Sequence, residues 1–338
     1  MNNSIINMIP ITISNPNPWD RTSLVSVSFE NTLHVSGLQV YDDANCELLS
    51  QMDPEVDGWC QVRFVAENIP ANGKKTFFIK ARDTTADLHL PEEGLLDGNE
   101  YYLENDILRI IVEVDGSLTI MDKDEEEETP EDQKLIIMGE ELGNGSIWAG
   151  DSFYYYPKLH QIQVDSEILS MKDVKYDLME ASDFGGKIQV KATLMAKSGA
   201  KFPITTFIDI QKGEKPVIRI HSCLPKELTS HNVSFIYPTS LKCDVIAHDK
   251  VLCLWDEKQD HGLGVFTDKG IYSSQRNQDG ETTVIIDGKN LIESEQALEI
   301  NLCLVPIKEF NTSSTDPLQN VLFKLAAEYY TPFEWKIN

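Results

Sequence analysis

The sequence predicts an all-β protein, a small β-sandwich followed by a larger one, with one short helix near the C-terminus. Three observations carry that expectation. Apolar and polar residues alternate in short runs along most of the chain, the period-two pattern of half-buried strands. Nearly every run ends in Gly, Asn, Asp or Pro, the residues that turns select. The 338 residues, 41% of them hydrophobic, can bury a sizeable core yet are too many for one ordinary β-domain.

Taken in order, residues 23–29, 61–65 and 74–80 read as strands of the first sandwich, with a turn at Asn72-Gly73. Between 83 and 98 the alternation gives way to polar and turn residues, among them Thr84, Thr85, Pro91, Gly94 and Gly98. The domain boundary is expected there, giving domains 1–88 and 95–338. Residues 108–114, 187–196, 205–210 and 298–305 then read as strands of the larger sandwich. Turns are expected at Asp115-Gly116, Lys212-Gly213, Asp279-Gly280 and Asp287-Gly288, where positive φ costs little. Near the end, Asp316 can cap a helix, Pro317 suits its first position and Gln319 can close a capping box. Leu318, Val321, Leu322, Leu325, Ala326 and Tyr329 form one apolar stripe, and Pro332 marks the stop.

Composition narrows the function. Twenty-nine Lys and Arg face 55 Asp and Glu, a formal net charge of -26, so nucleic acid and anionic membrane surfaces are disfavoured partners. No apolar run reaches the length of a spanning helix, and residues 1–10 lack a signal-peptide pattern, so a cytoplasmic protein is expected. The six cysteines, Cys46, Cys60, Cys223, Cys243, Cys253 and Cys303, include no Cys-x-x-Cys pair and read as reduced core thiols. Eight carboxylates and one lysine between Asp122 and Asp132 read as a solvated loop, since the spacing of a calcium loop is missing.

No motif assembles a catalytic set. Gly-rich phosphate loops, a Gly-x-Ser-x-Gly elbow and a His-Glu-x-x-His pair are all missing, and the seven histidines read as isolated. Two polar patches contain aromatics. Trp255 to His261 could bring an acid, a base and a metal ligand together, or be a loop between strands. Gly143 to Asp151, with Trp148, precedes Phe153 to Tyr156; such aromatics stack on sugar rings, and sheet packing uses them equally.

Three stretches, in order, resemble the non-catalytic C-terminal part of glycoside hydrolase family 38, the α-mannosidases. Asn15-Pro16-Asn17-Pro18-Trp19-Asp20-Arg21 is similar to the family's entry into its first β-domain, and Ile69 to Phe77 to that domain's last strand. Leu103 to Ile110, then Val114-Asp115-Gly116-Ser117-Leu118 and Met121-Asp122-Lys123, resemble the opening of its large galactose-mutarotase-like β-supersandwich. Leu304-Val305-Pro306 and Glu328 to Pro332 resemble the exit from it.

The resemblance implies a chain that follows a zinc-binding α/β-barrel and a three-helix bundle. The zinc ligands and the nucleophilic Asp of the family would lie on that barrel and have no counterparts here, so no catalytic residue, metal ligand or cofactor is expected in this chain. Its partners would be the catalytic domain or subunit and a mannose-containing carbohydrate. The resemblance also points to Arg276, in the segment Tyr272 to Gly280, as an arginine at the rim of the sugar site; a plain surface hairpin explains it as well. Two other roles remain open, a free-standing carbohydrate-binding protein that uses Trp148 and a mutarotase-like enzyme. The latter requires an acid and a base, usually His and Glu, converging in one cleft.

Overall fold

The computed structural model describes residues 8–30, 37–81, 102–105, 107–112, 118–122, 154–155, 161–182, 184–211, 217–238, 244–248, 250–256, 261–267, 272–276, 278, 282–287, 292–293, 297–307, 315–317 and 320–337. The chain divides into two compact units, Met1–Glu92 with Ala327–Asn338, and Glu93–Ala326. Its first strands are β1 (Ile9–Ser14), β2 (Arg21–Glu30), β3 (Leu38–Tyr41), β4 (Glu47–Leu48), β5 (Ser50–Val56), β6 (Trp59–Ile69) and β7 (Lys74–Ala81). There follow β8 (Tyr102–Glu104), β9 (Leu108–Val112), β10 (Leu118–Asp122), β11 (Tyr154–Tyr155), β12 (Gln161–Val164), β13 (Glu167–Ile168) and β14 (Ser170–Ser182). The next are β15 (Gly185–Met195), β16 (Lys201–Gln211), β17 (Ile218–Pro225), β18 (Val233–Pro238), β19 (Asp244–His248), β20 (Val251–Asp256) and β21 (His261–Thr267). The chain ends with β22 (Tyr272–Arg276), β23 (Thr282–Asp287), β24 (Ile292–Glu293), β25 (Ala297–Ile307), helix α1 (Val321–Tyr330) and β26 (Glu334–Ile337). It is an all-β fold with a single α-helix among the described residues.

In the first unit, a sheet ordered β26-β1-β7-β3-β4 stands with a second ordered β2-β6-β5. The inward residues of β6, Cys60, Val62, Phe64 and Ala66, alternate with more exposed neighbours, as a strand with one wet face requires. They share one core with Ile11, Ile13, Phe77 and Ile79 of the other sheet. The Phe64 and Phe77 rings meet across the two sheets at 5.1 Å.

Residues 15–21 tie this unit together. The Asn15 side-chain amide donates to the carbonyls of Trp19 (2.7 Å), Ile69 and Pro70 (both 3.1 Å), while its Oδ1 accepts from the Asn17 N–H at 3.1 Å. The Asn72 N–H donates to the Asn17 carbonyl at 2.9 Å, and Gly73 closes the turn by donating to Pro70 at 2.9 Å. Asn72 adopts φ 50°, and a Cβ on Gly73 would lie 2.8 Å from that of Pro70. The stretches 15–21 and 69–77, found separately in sequence, are thus bonded to each other.

Arg21, buried, then takes hold of the chain's end. Its guanidinium donates to the carbonyls of Thr331 (2.8 Å) and Glu328 (3.0 Å), lies 3.5 Å from the Glu328 carboxylate and stacks 4.3 Å from the centre of the Phe333 ring. Trp19 Nε1 donates to Glu328 Oε1 at 3.1 Å. A cation is thereby placed on the last carbonyls of α1, where the helix dipole favours it. Beyond the helix, β26 pairs with β1, Ile11 opposite Ile337 and Ser14 opposite Glu334. The domain range expected from sequence, 95–338, therefore differs from the observed one: residues 327–338 belong with the first unit, because β1 offers them an open edge.

The second unit has a nine-stranded sheet, β14-β15-β16-β17-β25-β21-β20-β19 with β24 also on β25, a five-stranded sheet, β13-β12-β18-β23-β22, and a four-stranded one, β11-β10-β9-β8. One core draws on all three: Leu103 and Ile110, Ile162, Phe235 and Ile286, and Ile188, Ile208, Ile220 and Leu302. Asn105 organises the entry to β9. Its Oδ1 accepts from the N–H groups of Ile107 (3.0 Å) and Leu108 (2.8 Å), and its amide donates to Gln211 at 3.0 Å.

Helix α1 starts later than the sequence suggests. Its cap is Asn320, whose Oδ1 accepts from the Leu322 N–H at 3.2 Å, and the first backbone bond runs from the Lys324 N–H to the Asn320 carbonyl at 3.1 Å. Buried Asn320 competes better for that role than Asp316, which lies before the helix. Leu322 packs on Gly264 of β21 so closely that a Cβ there would fall 2.2 Å from Leu322 Cδ1. Of the expected turns, Asn72-Gly73 is described; Gly116, Gly213, Gly280 and Gly288 fall outside the described residues.

Two substitutions test this packing. Arg21→Met strips the cation from Glu328 and the helix carbonyls and is expected to cost about 3 kcal/mol in urea unfolding. Gly264→Ala overpacks the Leu322 contact and is expected to cost about 1–3 kcal/mol; an unchanged midpoint for either would contradict the contact described.

Candidate functional site

Strands β15, β16 and β17 bury every second residue, which leaves the residues between them on the other face, and β25 continues that face through Glu299 and Asn301. Pairing aligns those outer residues in rows. Lys187, Asp209, Arg219 and Cys303 form one, Gln189, Phe207, His221 and Asn301 the next, and Lys191, Thr205, Cys223 and Glu299 a third. On β25 and β21 the same face becomes apolar, with Cys303, Val305 and Phe266 buried. The half-exposed part carries the polar groups.

His221 is the centre of that part. Its Nδ1 lies 2.7 Å from Asn301 Oδ1 and its Nε2 lies 3.1 Å from Cys223 Sγ. The Asn301 amide oxygen only accepts, so Nδ1 donates to it; in the neutral ring Nε2 then presents a lone pair to the thiol. The ring stacks on Phe207, centroids 6.0 Å apart and planes at 23°, and Lys187 Nζ sits 4.9 Å from the Phe207 centroid. Glu299 stands directly opposite Cys223, and ligand atoms of His221, Cys223 and Glu299 all lie within 4.8 Å of one another.

The surroundings shift two of these groups. Burial pushes the Cys223 thiol above its ordinary value, and the Glu299 charge adds to that. Burial likewise raises the Asp209 carboxyl; Arg219, 3.9 Å away, and Lys187 pull it back, and Glu180 pushes it further up. Both ring nitrogens of His221 are held within the protein. As it stands, the group is better arranged to bind than to shuttle protons, although a His and a Glu do converge here.

The histidines thus do not all stand alone: His221 has these neighbours, and His231 Nδ1 donates to Asp165 Oδ2 at 2.6 Å. Nor are all cysteines core thiols, since Cys46 is exposed and Cys223 half-buried, while Cys60, Cys253 and Cys303 are buried and Cys243 lies outside the described residues. The sequence signals were two strands with a residue of interest at every second position, His221-x-Cys223 and Glu299-x-Asn301. Only the β17–β25 register brings them together.

The sites expected from sequence lie elsewhere. Arg276 is exposed at the end of β22, its backbone paired with Thr282 in a hairpin with β23. Trp148 and the rest of 143–151 are outside the described residues, as is the acidic run after Asp122. In the patch 255–261, Trp255 is a buried strand residue and residues 257–260 are outside the described residues. Gly262 lies in β21, paired with Trp255, and a Cβ there would lie 2.8 Å from the Trp255 ring.

No protein-family model matches the sequence, and no curated protein matches it. Solved structures do match. One, a protein in glycosyl hydrolase family 38 from Enterococcus faecalis, aligns with a TM-score of 0.64 and 12% identity over 98% of this chain and 47% of its own. An α-mannosidase, also from Enterococcus faecalis, aligns with a TM-score of 0.61 and 13% identity over 98% of this chain and 46% of its own. The chain therefore shares the fold of part of these proteins and spans about half their length. Among the described residues no helix is long and apolar enough to cross a membrane.

The two displaced groups give measurable consequences. The native state holds the Asp209 proton to a higher pH than the unfolded chain does. Its stabilising share is complete below the ordinary aspartate range and disappears as pH rises through the native midpoint. A ¹³C carboxyl titration should find Asp209 above an ordinary aspartate, and Lys187→Met should move it higher. Iodoacetamide should label Cys223 more slowly than exposed Cys46 at neutral pH, because less thiolate is present; faster labelling of Cys223 would contradict its placement beside Glu299.

Proposed function

We propose that this chain is the non-catalytic β-sandwich portion of a family 38 glycoside hydrolase, an α-mannosidase, supporting a catalytic α/β-barrel domain or subunit. The observation that carries this reading is the alignment of 98% of the chain with just under half of two such proteins. The three sequence stretches support it further, because each serves a structural purpose: 15–21 and 69–77 bond to one another, and Asn105 organises a strand entry.

The zinc ion and the covalent intermediate of such an enzyme would belong to the catalytic domain. The sequence has no His-x-Asp pair of the kind the resemblance assigns to that zinc, so no step of the hydrolysis is given to this chain. Its own contribution is a rigid support and, through exposed Arg276, a guanidinium able to orient sugar hydroxyls at the rim of the site.

Two measurements test the reading. Purified chain, supplied with Zn²⁺ and an aryl α-mannoside, should show no turnover above buffer; zinc-dependent turnover overturns it. Titration with mannose and short mannans should show no measurable affinity of the chain by itself, whereas binding abolished by Trp148→Ala would instead favour a free-standing carbohydrate-binding protein.

A further inference from the structure

We propose that His221, Cys223 and Glu299 form a binding site for a borderline-soft divalent cation of the Zn²⁺ class, on the outer face of the nine-stranded sheet.

The geometry is close to what such an ion requires. A tetrahedral Zn²⁺ with N, S and O ligands holds them about 3.3–3.8 Å apart. Here His221 Nε2 and Cys223 Sγ are 3.1 Å apart, and the three ligand atoms lie within 4.8 Å of one another. The shortfall falls on Glu299, whose long side chain can close about 1 Å by small rotations within its rotamer wells. Among the described residues its carboxylate makes no hydrogen bond or ion pair, so nothing there has to be broken. The backbone need not move either, since Cys223 and Glu299 are directly paired and His221 lies two residues along on the same face.

The imidazole is already set for the task. A metal-bound histidine usually donates its second N–H to an oxygen acceptor, which fixes the tautomer and the ring. Asn301 Oδ1 is that acceptor, 2.7 Å from Nδ1, and Phe207 stacks on the ring. Nε2 is therefore free to turn its lone pair from the thiol proton to a cation. Thiolate, imidazole and carboxylate together suit Zn²⁺ over Mg²⁺ or Ca²⁺, which seek oxygen alone. Three protein ligands on a half-exposed face leave a fourth position for water or a small ligand.

Binding has a defined proton balance. The thiol gives its proton to solvent as the sulfur–metal bond forms, while imidazole and carboxylate supply lone pairs. The cation also offsets the repulsion that Glu299 imposes on a thiolate at Cys223.

Co²⁺ is a suitable probe, since a thiolate ligand gives it a near-ultraviolet charge-transfer absorption. The full chain carrying Cys46→Ser, which removes the exposed thiol, should develop that absorption with one equivalent of Co²⁺ and lose it on adding Zn²⁺. Cys223→Ser, nearly isosteric and checked for folding by circular dichroism, should abolish the absorption. Asn301→Ala, which leaves all three ligands in place, should weaken Co²⁺ affinity about 10–100-fold. No thiolate absorption in the Cys46→Ser chain, or an absorption that survives Cys223→Ser, overturns the proposal. None of these readouts involves hydrolysis, so the outcome is independent of the scaffold reading.

Discussion

The outer face of the large sheet depends on the pairing register of β15, β16, β17 and β25. Side chains alternate between faces, so a slip of one residue would carry Ile188, Ile208, Ile220 and Leu302 out of the core together. Each such side chain contributes about 1.5–3 kcal/mol by being buried. The apolar residues thus hold the strands in a single alignment, and the residues between them inherit their positions. His221 faces Asn301, and Cys223 faces Glu299, as a consequence of what lies on the opposite side of the sheet. Even the polar intruders on the inner face fit this alignment: Thr206 and Ser222 are buried and satisfy each other at 2.8 Å.

In the first unit hydrogen bonding to backbone carbonyls plays the corresponding part. A turn and a helix end leave carbonyl oxygens without ladder partners, and burying them unpaired would be costly. Asn15 saturates those around Trp19, Ile69 and Pro70, and Arg21 those of Glu328 and Thr331. Burial lowers the Arg21 pKa, with Glu328 opposing the shift, yet an arginine stays charged at any ordinary pH. Both members are held by further bonds, Arg21 to the carbonyls of Thr331 and Glu328 and the Glu328 carboxylate to Trp19.

These observations bear on how a shared fold survives at 12–13% identity. What the sequences need in common is alternation in the strands and a few residues that close turns and cap ends; such positions are what the resemblance found. The fold then says little about surface chemistry, because sites are grafted onto folds through residues that packing leaves free. The His221 cluster is made of such residues.

The all-β class, the strands and the C-terminal helix were legible in the sequence because burial imposes a period on each. So was the turn at Asn72-Gly73, where Asn and Gly mark a backbone conformation that few residues adopt; the stretches 15–21 and 103–110 stood out only by resemblance, and their bonds came from the structure. The sequence did not show that the chain's last strand pairs with its first, since an open sheet edge is a property of the assembled unit. Nor did it show Asn320 as the cap, which depends on which polar residue is buried beside the helix. Above all it left His221 isolated. Its partner Asn301 lies 80 residues away on β25, and no local pattern measures that separation. Sequence determined what each strand must turn inward; tertiary pairing alone decided which outward residues would meet.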